Sequence, residues 1–288
     1  MDQKKIGLII AILIAVFTIA FFSTDIFNDL FSKQNQSLDL SGELNINCFD
    51  SVLPIVEEMS ILFMEKYPNV EITISEEKED FVLNSFIESN HDILVISREL
   101  SEQEKDQYPN LEIYDIGKQA IVIIVNPSLQ SRGPINSITI ENLQLMFSGG
   151  YEGPQTMGKK ELNWRWIGGF DRELILFSPV NNSNTRIFFD NVILKPIGEE
   201  ITNKSIFLMS EKEIRNYVAK EVASMGYISM AYVNQSITVL NINDIEPTEE
   251  NINSGDYPIT EPVTLILKKL PSDLETTFIN ELKSYFMD

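Results

Sequence analysis

Apolar positions in this chain change period repeatedly after residue 40, and each change marks an element. ELNINCF (residues 43–49) alternates as a half-buried strand does, whereas LPIVEEMSILFMEKYP (53–68) spaces its apolar residues at helical intervals until Pro68 stops it. VEITIS (70–75) predicts a second strand, DFVLNSFIES (80–89) a second helix and DILVIS (92–97) a third strand. Strand, helix, strand, helix, strand is the pattern of a parallel sheet covered by helices. AIVIIVN (120–126) is an unbroken apolar run of the kind buried on both faces, and ITIENLQLMF follows with Thr139 placed to cap a short helix. Glycine turns in SGGYEG and WIGGF surround Trp164 and Trp166, which are expected in the core or on a lobe surface. Further on come a helix in NNSNTRIFFDNVIL (181–194), a helix in EKEIRNYVAKEVAS (211–224), strands in YISMAYV (227–233) and VTLILKK (263–269), and a closing helix from Ser272. The expected class is α/β, with two lobes in one chain.

The residues before position 40 read differently. IGLIIAILIAVFTIAFFS (6–23) carries no charge and has about the length that crosses a bilayer as a helix. Lys4 and Lys5 precede it, while Asp25 and Asp29 follow, which by the positive-inside rule leaves the N-terminus in the cytoplasm. Residues 1–23 are therefore expected to be a transmembrane anchor or, alternatively, a cleaved signal sequence, although Phe21 and Phe22 after Ala20 make a poor cleavage site. Residues 24–41 read as a polar tether, and 42–288 as a folded domain on the extracytoplasmic side of the cell membrane.

Composition narrows the function. With 43 acidic and 22 basic residues in 288, the formal charge is -21, which argues against nucleic acid as a partner. One cysteine, Cys48, and one histidine, His91, leave no disulfide framework and no ordinary zinc or Cys/His site. No nucleophile stands with a base partner, so neither an enzyme nor a cofactor is expected. Ser183, Asn184 and Thr185 lie just before the apolar run of the 181–194 helix; such an end caps the helix and is also suited to an anion.

SVLPIVEEMSILFMEKYPNVEITI, DILVISRELSEQE, AIVIIVNPSLQ with INSITIENLQLMFSGG, SNTRIFF, MGYISMAYV and YPITEPVTLILKK stand in an order and spacing that resembles the phosphate-binding proteins of bacterial phosphate ABC transporters. The resemblance covers residues 42–288 and implies a two-lobed periplasmic-binding-protein fold with a cleft between the lobes. One lobe would comprise 42–117 and 241–288, the other 118–240, with crossings near Gly117 and Tyr257. It also implies a small anionic solute such as phosphate as ligand, and transporter membrane subunits as partners. Carried over residue by residue, the phosphate turn falls on Cys48–Ser51, where the glycine and two hydroxyls of the family are missing and Asp50 and Ser51 stand instead. A second family loop falls near Lys78–Val82 without its glycines, and Glu79 lies in it. Ser97 and Arg98 match the Ser-Arg that ends the third strand. Ser183 and Thr185 match a later element in which Asn184 replaces glycine and Pro179 stands where the ligand arginine would be.

The implied ligand set is Asp50, Ser51, Ser97, Arg98, Ser183, Asn184 and Thr185. Arg98 would be its main positive charge, unless it pairs with Asp50 or Glu99. Carboxylates near a closed oxyanion site oppose binding by about a few kcal/mol at moderate dielectric, so weak binding is expected. The alternative is a binding-protein-like sensor or scaffold that has lost phosphate and works through protein contacts.

Overall fold

The computed structural model describes residues 40–77, 82–132 and 135–287. The expected anchor, nearly all of the tether, and Glu79 with its neighbours lie outside the described residues. Among the described residues, no helix is long and apolar enough to cross a membrane.

The strands are β1 (Ser41–Phe49), β2 (Asn69–Glu77), β3 (Ile93–Ile96), β4 (Glu112–Val125), β5 (Ser137–Ile138), β6 (Ile175–Pro179), β7 (Ile206–Leu208), β8 (Ser224–Ser229), β9 (Thr238–Ile242) and β10 (Thr260–Leu267). The α-helices are α1 (Leu53–Lys66), α2 (Val82–Glu88), α3 (Glu102–Gln107), α4 (Ile140–Phe147), α5 (Asn184–Phe189), α6 (Glu211–Lys220), α7 (Glu249–Ser254) and α8 (Asp273–Met287). The strand order is β2-β1-β3-β10-β4-β8-β6-β7, with β9 also on β4 and β5 on β9.

The strand β4 passes from one side of the sheet to the other. The first part of β4, Glu112 to Ala120, pairs antiparallel with β10, and its last five residues, Ile121 to Val125, pair with β8 and β9. On one side of this handover β1 and β3 run parallel beside β10; on the other, β8, β6 and β7 run parallel. Residues 120–125 are fully buried, which accounts for their unbroken apolar run. Gly117 has φ +141°, and a Cβ there would meet the Cβ of Phe286 at 2.4 Å, so glycine lets α8 lie against the crossing strand.

Several expectations are corrected. The strand expected at 227–233 is instead Ser224–Ser229, because the Ser229 hydroxyl accepts from the Ala231 N–H at 3.2 Å and turns the chain into a short helical turn, Met230–Tyr232. The sheet strand around AIVIIVN begins earlier, at Glu112. Ile242, Ile252, Tyr257 and Ile259 belong to the same apolar cluster as Ile121–Val125. Trp164 is fully buried and donates to the Ala223 carbonyl at 3.0 Å, a core role. Trp166 stacks on Tyr151 at 4.2 Å beneath Arg165.

Candidate functional site

β1 ends at Phe49, and the chain turns through Asp50–Val52 into α1, where Pro54 suits the first turn. This turn brings Ser51 beside Ser97, at the end of β3; the two buried hydroxyls are 2.8 Å apart and hydrogen-bonded to each other. Asp50 faces the other lobe. The Tyr232 hydroxyl reaches it, bonded to the Asp50 carboxylate and at 3.0 Å from its carbonyl oxygen.

Arg98 pairs with a carboxylate of its own lobe. Its guanidinium makes two hydrogen bonds to the Glu104 carboxylate, at 3.0 and 2.8 Å, and donates to the Glu99 carbonyl at 2.9 Å. Glu104 also accepts from the Ser101 N–H and hydroxyl in the capping box of α3. Burial pushes the Glu104 carboxyl up, but Arg98 and Ser101 outweigh it and hold it below the usual range. The charge expected to serve an anion is thus shared with a local carboxylate.

On the facing lobe, Ser183 has the extended backbone of an N-cap, yet its hydroxyl caps no N–H, and its own N–H donates to Val180 at 3.1 Å. The Ser183 N–H is thereby used within its own lobe. Thr185 is fully buried and its hydroxyl donates to Glu211, whose other carboxylate oxygen accepts from the Ser229 N–H. An internal carboxylate therefore occupies donors of the kind an anionic ligand would use. Burial pushes the Glu211 carboxyl up, the charge of Asp50 adds to this, and the bonds from Thr185 and Ser229 offset part of it, leaving it at about 8. From Ser229 the network continues: its hydroxyl donates to Gln119 at 3.0 Å, and Gln119 donates to Glu261 at 2.6 Å.

Asn184 lies between the halves. With Asp50, Glu77 and Ser183 it lines a cavity of about 10 Å³, roughly one water. With Ser97, Arg98 and Glu261 it lines another of about 80 Å³. Both polar atoms of its amide are buried without a hydrogen-bond partner among the described residues.

Three residues escaped the sequence reading. Glu211 looked like the start of a helix, and Tyr232 like part of a strand. Arg186, next to Thr185, is buried and donates to Asp190 at 2.7 Å and to the Pro179 carbonyl at 3.3 Å. The only signal for it was the four-residue spacing of Arg186 and Asp190 on one helix face.

Comparison with known proteins places this geometry. The chain is 23% identical over 265 residues to the phosphate-binding protein PstS of Borreliella burgdorferi, covering 88% of each. Its fold matches that of a putative phosphate ABC transporter substrate-binding protein with bound phosphate from Clostridium perfringens, with a TM-score of 0.69, 23% identity, and coverage of 84% of this chain and 93% of that one. The regulatory domain of CcmR from Synechocystis, in complex with 2-PG, shares the fold at a TM-score of 0.57 and 14% identity, with 86% and 99% covered. The model of the PBP superfamily domain matches residues 33–284, and the chain belongs to that superfamily, with its resemblance to the phosphate-binding proteins.

Proposed function

We propose that this protein is a membrane-anchored extracytoplasmic solute-binding protein that takes phosphate or a related small oxyanion weakly and without catalysis, and hands it to transporter membrane subunits. The observation that carries this reading is the buried, unpartnered amide of Asn184, set between the Asp50 turn and the Ser97–Arg98 strand end. A buried polar group without a partner calls for one, and a small oxyanion would accept from its N–H. Ser51, Ser97 and Thr185 would supply hydroxyls and Arg98 the charge, by a swing from Glu104. Weakness follows from the carboxylates of Asp50, Glu77 and Glu261, which line the same two cavities.

Glu211 itself favours the second reading, a sensor or scaffold working through protein contacts, because it already engages Thr185 and Ser229 as a ligand would. Calorimetric titration of the intact chain with phosphate separates the two. Saturable binding, tightened in Glu211→Gln and weakened at least ten-fold in Arg98→Ala, is expected for an oxyanion site. Absence of binding by both wild type and Glu211→Gln, over a panel of anions, would leave the protein-contact reading.

A further inference from the structure

A larger cavity, of about 580 Å³, lies beside the crossing strand and shares none of the residues assigned above to the oxyanion site. Its size is that of a small-molecule pocket. Ile55 of α1, Ile252 of α7 and Phe286 of α8 give it an apolar lining, and Gln119 of β4 lines it as well. Apolar walls would take an apolar body. Its exposed lining residues include Glu58 of α1 and Glu249 of α7, together with the half-exposed ring of Tyr285. Burial first, and then the charges of Glu58 and Glu249, push the Tyr285 hydroxyl up. The rim cation, Lys118, donates to the Asn253 carbonyl at 3.0 Å.

We propose that this groove is a second ligand site, for a small amphipathic cation: an ammonium held between Glu58 and Glu249 over Tyr285, on an apolar body lying against Ile55, Ile252 and Phe286. The ring face of Tyr285 adds a cation–π contact, and the formal charge of -21 draws cations to the protein generally. One lining residue also joins the two sites. Gln119 is hydrogen-bonded to Ser229, whose N–H holds Glu211, so a ligand on Gln119 touches the network that ends at Thr185.

Titration of the intact chain with 2-phenylethylammonium, followed by the NMR resonances of Tyr285, tests this. Its neutral isostere 2-phenylethanol and the anionic 3-phenylpropionate serve as references. The ammonium should saturate and bind about five-fold tighter than the alcohol, with the carboxylate weakest, as expected for partly exposed charge pairs. The double variant Glu58→Gln/Glu249→Gln, altered only at exposed positions, should bind ammonium and alcohol alike. Failure of the ammonium to saturate, equal affinity for the alcohol in wild type, or an unchanged preference in the double variant would each overturn the proposal. Displacement of the ammonium by phosphate would overturn the separateness of the two sites, whereas a chain that binds the ammonium but no phosphate would leave this site standing and remove the oxyanion reading.

Discussion

The two halves of the cleft handle polarity in opposite ways. On the first lobe the groups that end β1 and β3 neutralise one another locally: the hydroxyls of Ser51 and Ser97 share a hydrogen bond, and Arg98 is paired with Glu104 six residues away. On the second lobe a hydroxyl and a backbone N–H converge on the buried carboxylate of Glu211. The first arrangement keeps its charges paired and partly exposed, and responds to pH only at the acid end, where Glu104, held below the usual carboxylate range, takes up a proton. The second encloses a group whose ionisation is opposed by burial and by Asp50. Similar hydroxyl residues thus sit in a half whose ion pair is lost only in acid and in one that changes as pH rises, and the difference is a single buried carboxylate.

The largest effect that would test this contrast is expected at Glu211. Its carboxyl is raised from 4.5 to about 8 on folding. Below the lower value it is protonated in both states; between the two the unfolded chain ionises while the folded chain keeps its proton, so stability falls as pH rises through this window and stays lower above it. Glu211→Gln mimics the protonated acid, with its carbonyl accepting from Ser229 and its amide donating to Thr185. Urea unfolding should show the variant more stable than wild type at pH 9, no more stable at pH 4, and nearly flat between. A wild type equally stable at both ends would break the comparison.

Next is Thr185→Val, which removes one donor from the ionised carboxylate. A cost of about 3 kcal/mol or more is expected at pH 9, and less at pH 6, because unsatisfied charged groups cost more than neutral ones. Ser97→Ala, in the other half, strands only a neutral hydroxyl on Ser51; about 1–2 kcal/mol at every pH is expected in the same unfolding assay. The smallest effect on stability belongs to Arg98→Ala. Its pair with Glu104 is partly exposed, so about 0.2–1 kcal/mol is expected, shrinking as salt is added. A larger loss, indifferent to salt, would mean that Arg98 supports the first half in some way other than this ion pair.

Legibility followed the range of the interaction. Period alone located β3, whose four residues are all buried, the Thr139 cap of α4, whose hydroxyl accepts from Asn142, and the closing helix α8. Such features depend on neighbours within a few positions, and local spacing encodes them. The order of motifs also carried the two-lobed α/β fold. What spacing could not show is which side chains face each other across the cleft. Tyr232 meets Asp50 from 182 positions away, Ser229 meets Gln119 from 110, and Thr185 meets Glu211 from 26. Nothing in EKEIRNYVAK distinguishes a helix whose first glutamate is solvated from one whose first glutamate is buried. The sequence by itself determined the elements, their order and the residue types brought to the cleft. Only the tertiary structure decided that a carboxylate, Glu211, would hold Thr185 and that Arg98 would hold Glu104, because the partner of a buried polar group is chosen by whatever the folded chain brings within about 3 Å of it.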